Sequence, residues 1–208
     1  MTSFSKNNYQ VLPKAISTDL ANFCFEYLKI KKESYKLLNE SNIIYDFESP
    51  DKSPYGTESQ DPQAPGTWSI YGDPCMETLL KKLKQLMEQT TQLDLVEQYA
   101  YARLYKKGDE LKVHTDRVEC EISTTLNLGG DLWPIYLAPN QKIDLTPGDM
   151  LVYKGAALPH WRETFDGEVC GQVFLHYTNK QNKMLNKDGR KILGLVKIDQ
   201  NLITDFES

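Results

Sequence analysis

A succession of short β-rich segments between residues 97 and 177 constrains the fold of this chain more than any other feature of its sequence. The segments are separated by turn signals such as Lys107-Gly108-Asp109 and Pro147-Gly148-Asp149. They cover residues 97–105, 119–128, 133–137, 150–153, 160–163 and 171–177. Many short strands with regular turns are typical of a double-sheet jelly roll, the double-stranded β-helix. The sequence therefore predicts such a core over residues 97–178.

Two segments upstream have the period of amphipathic helices. Ser17 is a capping hydroxyl before the first, which is predicted to run from about Asp19 to Lys32. Asp73 and Pro74 open the second, which is predicted to end near Gln89. Its apolar stripe consists of Met76, Leu79, Leu80, Leu83, Leu86 and Met87. Both helices are expected to pack on the outer face of one sheet, which makes the fold class α+β.

The 208 residues are predicted to form a single domain, 1–208, with three parts. Residues 19–90 are mainly helical support with a long loop, 97–178 are the jelly-roll core, and 179–208 are a C-terminal extension that the sequence does not place. The loop, 48–67, is rich in Ser, Pro, Gly and acidic residues and is either a disordered excursion or a lid. Trp68 and Tyr71 after it are expected to pack in the core.

Composition and net charge argue against several classes of protein. A net charge of -5 disfavours a nucleic-acid partner. The four cysteines are far apart and are predicted to be reduced thiols, not a disulfide scaffold. No apolar run approaches the twenty or so residues of a membrane span, and no signal region is visible. A cytoplasmic location without a membrane partner is expected.

Two of the three histidines fall in a pattern typical of a metal site. His114 and Asp116 are two residues apart, so on an extended strand their side chains point the same way. His160, after the Pro147-Gly148-Asp149 turn, would complete a set of two imidazoles and one carboxylate. Non-haem Fe(II) oxygenases use this set and leave the opposite face of the ion open, and zinc could use the same ligands.

Five segments together resemble the core of the Fe(II)/2-oxoglutarate dioxygenases, nearest the prolyl-hydroxylase branch. They are RLYKKGDELKVHTDR, CEISTTLNL, TPGDMLVYKG, LPHWRE and QVFLHY, within residues 99–177. The resemblance implies that His114, Asp116 and His160 are the catalytic iron ligands, and that Tyr105 and Thr125 contact the cosubstrate. It implies Fe(II), 2-oxoglutarate and dioxygen as cofactor and cosubstrates, and leaves ascorbate open as a further reductant.

The chain departs from that family at one position. In that family an Arg or Lys normally follows the distal histidine by about nine to twelve residues and pairs with the far carboxylate of 2-oxoglutarate. Here Val169, Cys170, Gly171 and Gln172 occupy the window. A buried carboxylate without a partner is costly, so another cation serves, the cosubstrate differs, or the enzyme is degenerate.

Strand parity supplies substitutes for the missing cation. Arg162 follows His160 by two residues and would also point inward, so it is the first candidate. Arg103 is the second, on the strand face of Tyr105. Arg117 directly follows Asp116 and would point away from the metal on an ideal strand, so it is ranked third. Gln172 is retained as a polar cosubstrate contact.

The resemblance implies hydroxylation of an unactivated C–H bond, coupled to conversion of 2-oxoglutarate to succinate and carbon dioxide. Likeness to prolyl hydroxylases favours a protein or peptide substrate. Oxidation of a small metabolite stays open, and so does a non-catalytic cupin-like protein that binds a metal or ligand. His176 is expected to be a hydrogen-bonded core histidine, the alternatives being a cosubstrate contact or a third imidazole ligand.

Overall fold

Two antiparallel sheets form the framework of the protein in a computed structural model that describes residues 2–42, 53–59 and 63–182. A major sheet has the strand order β1-β9-β6-β11-β4-β3-β2, and a minor sheet has the order β5-β10-β7-β8. The strands are β1 Tyr9–Leu12, β2 Thr57–Ser59, β3 Thr67–Tyr71, β4 Leu95–Lys106, β5 Leu111–His114, β6 Ile122–Gly130, β7 Ile135–Leu137, β8 Gln141–Ile143, β9 Met150–Tyr153, β10 His160–Arg162 and β11 Val169–Asn179.

The two sheets face each other, since Arg162 of β10 hydrogen-bonds Thr125 of β6 across the interior. Each predicted strand overlaps an observed one, and the predicted jelly roll is confirmed. The predicted start of β6 at Glu119 was wrong, because Val118–Cys120 form a short 3-10 helix. Strands β1, β2, β3, β5 and β8 were not among those predicted. Thr57–Ser59 corrects the prediction of an uninterrupted loop at 48–67, because it pairs with β3 at the end of the major sheet.

The described helices are α1 Ser3–Asn7, α2 Thr18–Glu40 and α3 Pro74–Thr91. Ser17 caps α2 by accepting a hydrogen bond from the Leu20 N–H at 3.1 Å. The predicted end at Lys32 was wrong, because the buried side of α2 continues as far as Tyr35. In α3 the predicted start is confirmed, with the Asp73 carboxylate accepting from the N–H of Cys75 at 2.9 Å.

Both long helices cover the outer face of the major sheet, as predicted, and the largest hydrophobic cluster lies between them and the sheet. Ala100, Ala102 and Leu104 of β4 belong to that cluster. The glycines of the central strands allow close packing. A Cβ at Gly171 would lie 2.4 Å from the ring of Phe25 on α2.

The opposite face of β4 and its neighbours lines the space between the sheets. It carries Tyr99, Arg103 and Tyr105, all of which are buried. The period-2 geometry of strands therefore separates an apolar helix-facing surface from a polar and aromatic interior.

Several predictions concern residues outside the described ranges. Most of the extension 179–208 and parts of the segment 48–67 lie there, so their proposed roles stay predictions, as does the single-domain assignment.

All four cysteines are free, as predicted. Across the described ranges, no helix has both the length and the apolar composition needed to cross a bilayer.

Candidate metal centre

The fold brings together His114, Asp116 and His160, the three ligands predicted from the sequence. His114 at the end of β5 is the cross-strand partner of His160 at the start of β10, and their ring centroids are 4.2 Å apart. Asp116 Oδ1 lies 3.7 Å from His114 Nε2 and 3.5 Å from His160 Nε2. The candidate ligand atoms lie within 4.8 Å of one another, so one ion could contact all three residues.

The reason for the position of Asp116 differs from the predicted one. Strand β5 ends at His114, so Asp116 lies in the connection that follows and not on the same strand. Its N–H donates to the carbonyl of Gly155 at 2.9 Å, which ties this connection to the segment between β9 and β10. The position of Asp116 therefore depends on a contact between distant segments of the chain, in addition to its spacing from His114.

Backbone carbonyls orient both imidazoles. Nδ1 of His114 is 2.7 Å from the carbonyl of Lys112, and Nδ1 of His160 is 3.0 Å from that of Leu158. A carbonyl only accepts, so each Nδ1 carries the proton in these hydrogen bonds. In a neutral imidazole the Nε2 lone pair then faces the centre of the site, as in metal-bound histidines.

Asp116 divides its two oxygens between two tasks. Oδ2 accepts a hydrogen bond from the Ser123 hydroxyl at 2.7 Å, while Oδ1 faces the two imidazoles. Burial alone would raise the pKa of Asp116, but the hydrogen bond with His160, the nearby imidazoles and the Ser123 hydroxyl outweigh it and lower the pKa to about 2. The carboxylate is therefore ionised at neutral pH.

The donor set suits a divalent ion such as Fe(II). Burial, followed by the neighbouring His160, lowers the pKa of His114, so its ring is neutral at pH 7. Metal ligands have to be deprotonated, and an ionised carboxylate beside a neutral imidazole meets that requirement. Two imidazoles and a single carboxylate oxygen occupy one side of an ion and leave other positions open.

Arg162, the first candidate for the missing cation, is a buried guanidinium inside the jelly roll, with 2% of its surface exposed. It donates to the carbonyl of Trp133 and to Thr125 Oγ1 at 3.2 Å, and its guanidinium carbon is 5.0 Å from the Trp133 ring centre. Its Nε has no hydrogen-bond partner, and no Asp or Glu within residues 2–42, 53–59 and 63–182 pairs with it. Burial lowers the pKa of Arg162, as expected for a cation without a carboxylate.

Three other predicted cosubstrate contacts lie close to Arg162, and of these Thr125 hydrogen-bonds to it directly. Thr125 donates to Gln172 Oε1 at 2.9 Å, so Gln172 reaches the guanidinium only through Thr125. The ring centroid of Tyr105 is 4.8 Å from that of Trp133. Burial raises the pKa of Tyr105 to about 12, despite the opposing effect of Arg103 and Arg162, so its hydroxyl stays protonated.

The other two arginine candidates contact tyrosines. The Arg103 guanidinium carbon lies 5.0 Å from the ring centre of Tyr101 and 5.9 Å from that of Tyr105. Arg117 donates to the hydroxyl of Tyr99 at 2.7 Å. The ranking of Arg162 above both is consistent with its full burial and its place beside His160.

Three further residues near the triad were not predicted from the sequence. Tyr153 on β9 places its hydroxyl 3.4 Å from His160 Nε2, and burial raises its pKa well above the ordinary value. Ser123 contacts Asp116, and Trp133 contacts Arg162. Ser123 shares strand parity with Thr125, which is the one signal that could have identified it. His176 is a buried, hydrogen-bonded histidine as expected, with Nδ1 at 3.0 Å from the Ser123 hydroxyl.

Solved structures share this architecture although their sequences differ greatly. One is a viral collagen prolyl hydroxylase from Paramecium bursaria Chlorella virus-1, in a 2-oxoglutarate complex, with 9% identity over 84% of this chain and 98% of that chain, and a TM-score of 0.57. Another is HygX from Streptomyces hygroscopicus with nickel, 2-oxoglutarate and hygromycin B bound, at 13% identity over 86% and 85%, with a TM-score of 0.56.

A third is a prolyl hydroxylase from Trichoplax adhaerens in complex with a hypoxia inducible factor peptide, at 12% identity over 85% of this chain and 86% of that chain, with a TM-score of 0.56. No family model and no curated protein sequence matches the chain. At these identities the likeness shows the fold alone. The predicted resemblance is thus confirmed in that respect: the protein has the jelly-roll fold of the 2-oxoglutarate- and iron-dependent oxygenases, including the prolyl hydroxylases.

Proposed function

We propose that this protein is a non-haem Fe(II)- and 2-oxoglutarate-dependent dioxygenase that hydroxylates an unactivated C–H bond. The observation that carries the proposal is the buried Arg162, which has no acidic partner in the described part of the chain and lies two residues from the candidate ligand His160. A buried cation of this kind is costly unless an anion completes it. A carboxylate-bearing ligand is the natural complement.

The spacing of the two groups suits a short dicarboxylate. Two residues along a strand correspond to about 6.6 Å. In a five-carbon 2-oxo diacid, the distance between the keto-acid end and the far carboxylate is comparable to this spacing. His114, Asp116 and His160 would hold the metal, while Arg162 and Thr125 would hold the far carboxylate, with Gln172 supporting Thr125.

The protein's contribution to the reaction is to bind and orient the metal, the cosubstrate and the substrate, and to exclude water from the site. When bound, iron and 2-oxoglutarate supply the oxidant: dioxygen is consumed, succinate and carbon dioxide form, and one oxygen atom enters the substrate C–H bond. Tyr105, Trp133 and Phe165 form a buried aromatic cluster beside Arg162, which strengthens the charge pair by excluding water. The buried Tyr153 hydroxyl stays protonated 3.4 Å from His160 Nε2 and helps to enclose that side of the metal centre.

For the substrate, a residue in a protein or peptide is the proposal that the chain supports best. Tyr71, Tyr101 and Phe174 form a row of cross-strand neighbours on the interior side of β3, β4 and β11. All three rings are partly exposed and offer an apolar shelf. Strand β2 is the last strand of the major sheet in the described part of the chain, and pairing at a sheet edge is one way in which an extended peptide binds. The Trichoplax neighbour was solved with a peptide and HygX with hygromycin B, so small molecules belong in the same screen.

The proposal is tested by adding Fe(II) and then 2-oxoglutarate anaerobically to the metal-free protein while recording visible absorption. A weak charge-transfer band that needs both additions is the expected result. It would be followed by a substrate screen that measures succinate release, with peptides and small metabolites in parallel. Iron binding without any response to 2-oxoglutarate would contradict the proposal and favour a metal-binding protein without this activity.

A further inference from the structure

We propose that Ser123 is a positioning residue that restricts Asp116 to a single coordinating oxygen, and that His176 and Gly155 hold it in that role. The inference rests on the proposed metal centre and concerns residues outside the three ligands. Ser123 lies on β6 and is fully buried, with 0% of its surface exposed. None of the three ligands lies on β6.

A count of protons fixes the direction of the hydrogen bonds around Ser123. Its Oγ lies 2.7 Å from Asp116 Oδ2, 3.0 Å from His176 Nδ1 and 3.1 Å from the carbonyl of Cys120. A serine hydroxyl has one proton, and the carboxylate and the carbonyl can only accept. The shortest contact is to the ionised carboxylate, which is the stronger acceptor. His176 Nδ1 must then be the donor to Ser123.

His176 is itself held in place. Its ring centroid lies 4.6 Å from that of Tyr99 on β4. The Tyr99 hydroxyl contacts Cys120 Sγ at 3.1 Å and receives a hydrogen bond from Arg117 at 2.7 Å. The Ser123 hydroxyl is therefore the inner end of a network that spans β4, β6 and β11, so its direction is fixed before any metal binds.

Gly155 closes the other side of the same contact. A Cβ at this position would lie 2.2 Å from Asp116 Oδ2 and 2.3 Å from Ser123 Oγ. No side chain fits there without separating the carboxylate from the hydroxyl. The glycine, whose carbonyl also accepts from the Asp116 N–H, thus permits the close approach that the pair requires.

The consequence concerns how many positions on the metal remain available. Asp116 Oδ1 faces the two imidazoles, and Oδ2 is turned away and occupied by Ser123. A carboxylate with both oxygens free can bind a metal ion through both of them. The second oxygen would take a position that the cosubstrate or dioxygen needs. Ser123 therefore preserves an open position, which is a role for an outer residue that tunes a ligand.

The test compares Ser123→Ala with the wild-type protein, with Co(II) as a spectroscopic probe and 2-oxoglutarate as the titrant. We expect Co(II) affinity, measured by chelator competition, to fall by no more than about 3-fold, because the released second oxygen of Asp116 can itself bind the ion and offset the lost hydrogen bond. Affinity of the Co(II)-loaded protein for 2-oxoglutarate should fall at least about 10-fold. The visible Co(II) band should also weaken, since cobalt absorption loses intensity as the coordination number rises.

The matched control is Thr124→Val, which removes a buried hydroxyl from the next residue on the opposite face of β6, where it accepts from the Leu175 N–H. It should leave both affinities and the band unchanged. If Ser123→Ala has unchanged values, or if its metal and 2-oxoglutarate affinities fall in parallel, the positioning role is overturned.

A second pair of variants keeps the inference testable if Ser123→Ala does not fold. His176→Leu removes the donor to Ser123 and should weaken 2-oxoglutarate binding and the Co(II) band in the same direction. His176→Asn retains an N–H donor and should restore both. Equal behaviour of the two variants would contradict the network.

Failure of the proposed function has a different signature. It would appear as a wild-type protein that binds Co(II) but not 2-oxoglutarate. The Co(II) band alone would then still test the positioning role, because it reports on the ligands of the metal without any cosubstrate. An unchanged band in Ser123→Ala and in His176→Leu would overturn the inference whatever the cosubstrate result.

Discussion

His114 and His160 are direct cross-strand neighbours of β5 and β10, and their rings lie 4.2 Å apart at the centroids. Two imidazoles from separate strands are thus fixed by sheet pairing and by a backbone carbonyl at each Nδ1. This rigidity explains how a site near the end of a short strand can be formed before a metal arrives. It also means that the loss of one ring cannot be compensated by a neighbour.

We expect His114→Ala and His160→Ala each to lower the affinity for Fe(II) or Co(II) by more than about 100-fold, because loss of a ligand should exceed the usual effect of losing an outer-shell partner. Chelator competition monitored by absorption measures the change. Val113→Ala is the matched control, because Val113 is the residue before His114 and is 65% exposed. Retention of wild-type affinity in His114→Ala would remove that residue from the site.

We expect Arg162→Ala to weaken 2-oxoglutarate binding by at least about 30-fold, since truncating one partner of a buried charge pair costs about 2–5 kcal/mol. Metal affinity should stay within about 3-fold, because Arg162 does not contact the three ligands. Titration of the charge-transfer band measures the first quantity, and chelator competition measures the second.

Arg162→Lys is the matched variant, since it retains the charge but loses the two-pronged geometry of the guanidinium. It should recover part of the affinity. Normal binding of 2-oxoglutarate by Arg162→Ala would refute the assignment and shift it to Arg103, whose guanidinium also lies within the interior face of β4.

The grouping of the candidate metal ligands was predictable because the chain has only three histidines and the order of its motifs is informative. Strand parity and the turn before β9 were enough to predict the group, although Asp116 lies beyond the end of β5 and is positioned by its contact with Gly155. The helix starts were also predictable, since Ser17 and Asp73 act locally on the N–H groups that follow them. Such features depend on a few neighbouring residues.

What escaped prediction depends on pairing between distant segments. Strand β1 has four residues, too few to show a period, and it exists because Tyr9 pairs with Tyr153 of β9. The contact between Ser123 and Asp116 requires the register of β6 and the path of the connection after β5. Tyr153 became a site residue only through the packing of β9 beneath β10.

The contact between Gly171 and Phe25 predicts a stability effect without a change at the metal centre. We expect Gly171→Ala to lower the free energy of unfolding by about 1–3 kcal/mol, because the new Cβ would lie 2.4 Å from the Phe25 ring and overpack the helix–sheet interface. Phe25→Leu in the same chain should recover part of the loss by making room. Urea unfolding of both single variants and the double variant measures the coupling, and strictly additive losses would contradict the packing explanation.

Asp149 predicts a pH-dependent contribution to stability at the turn before β9. Its carboxylate accepts hydrogen bonds from the N–H and hydroxyl of Thr146, at 2.9 and 2.6 Å, and from the Lys14 N–H at 2.9 Å. Burial alone would raise its pKa, but these hydrogen bonds outweigh burial and lower the pKa from 3.8. A carboxyl group whose pKa is lower in the folded state stabilises the fold above the unfolded-state pKa.

We therefore expect Asp149→Ala to cost about 1–2 kcal/mol at pH 7, a value near the lower range for hydrogen bonds to a charged group because the site is partly exposed. The difference from wild type should begin to shrink as the pH falls below about 4 and should vanish once the pH passes below the lowered folded-state pKa. Urea unfolding at pH 7, 5, 4 and 3 checks this course. Asp144→Ala is the control, since Asp144 is largely exposed, with 60% of its side chain accessible, and it should have a small effect at every pH. A penalty for Asp149→Ala that stays constant down to pH 3 would show that the side chain acts by packing and not through its charge.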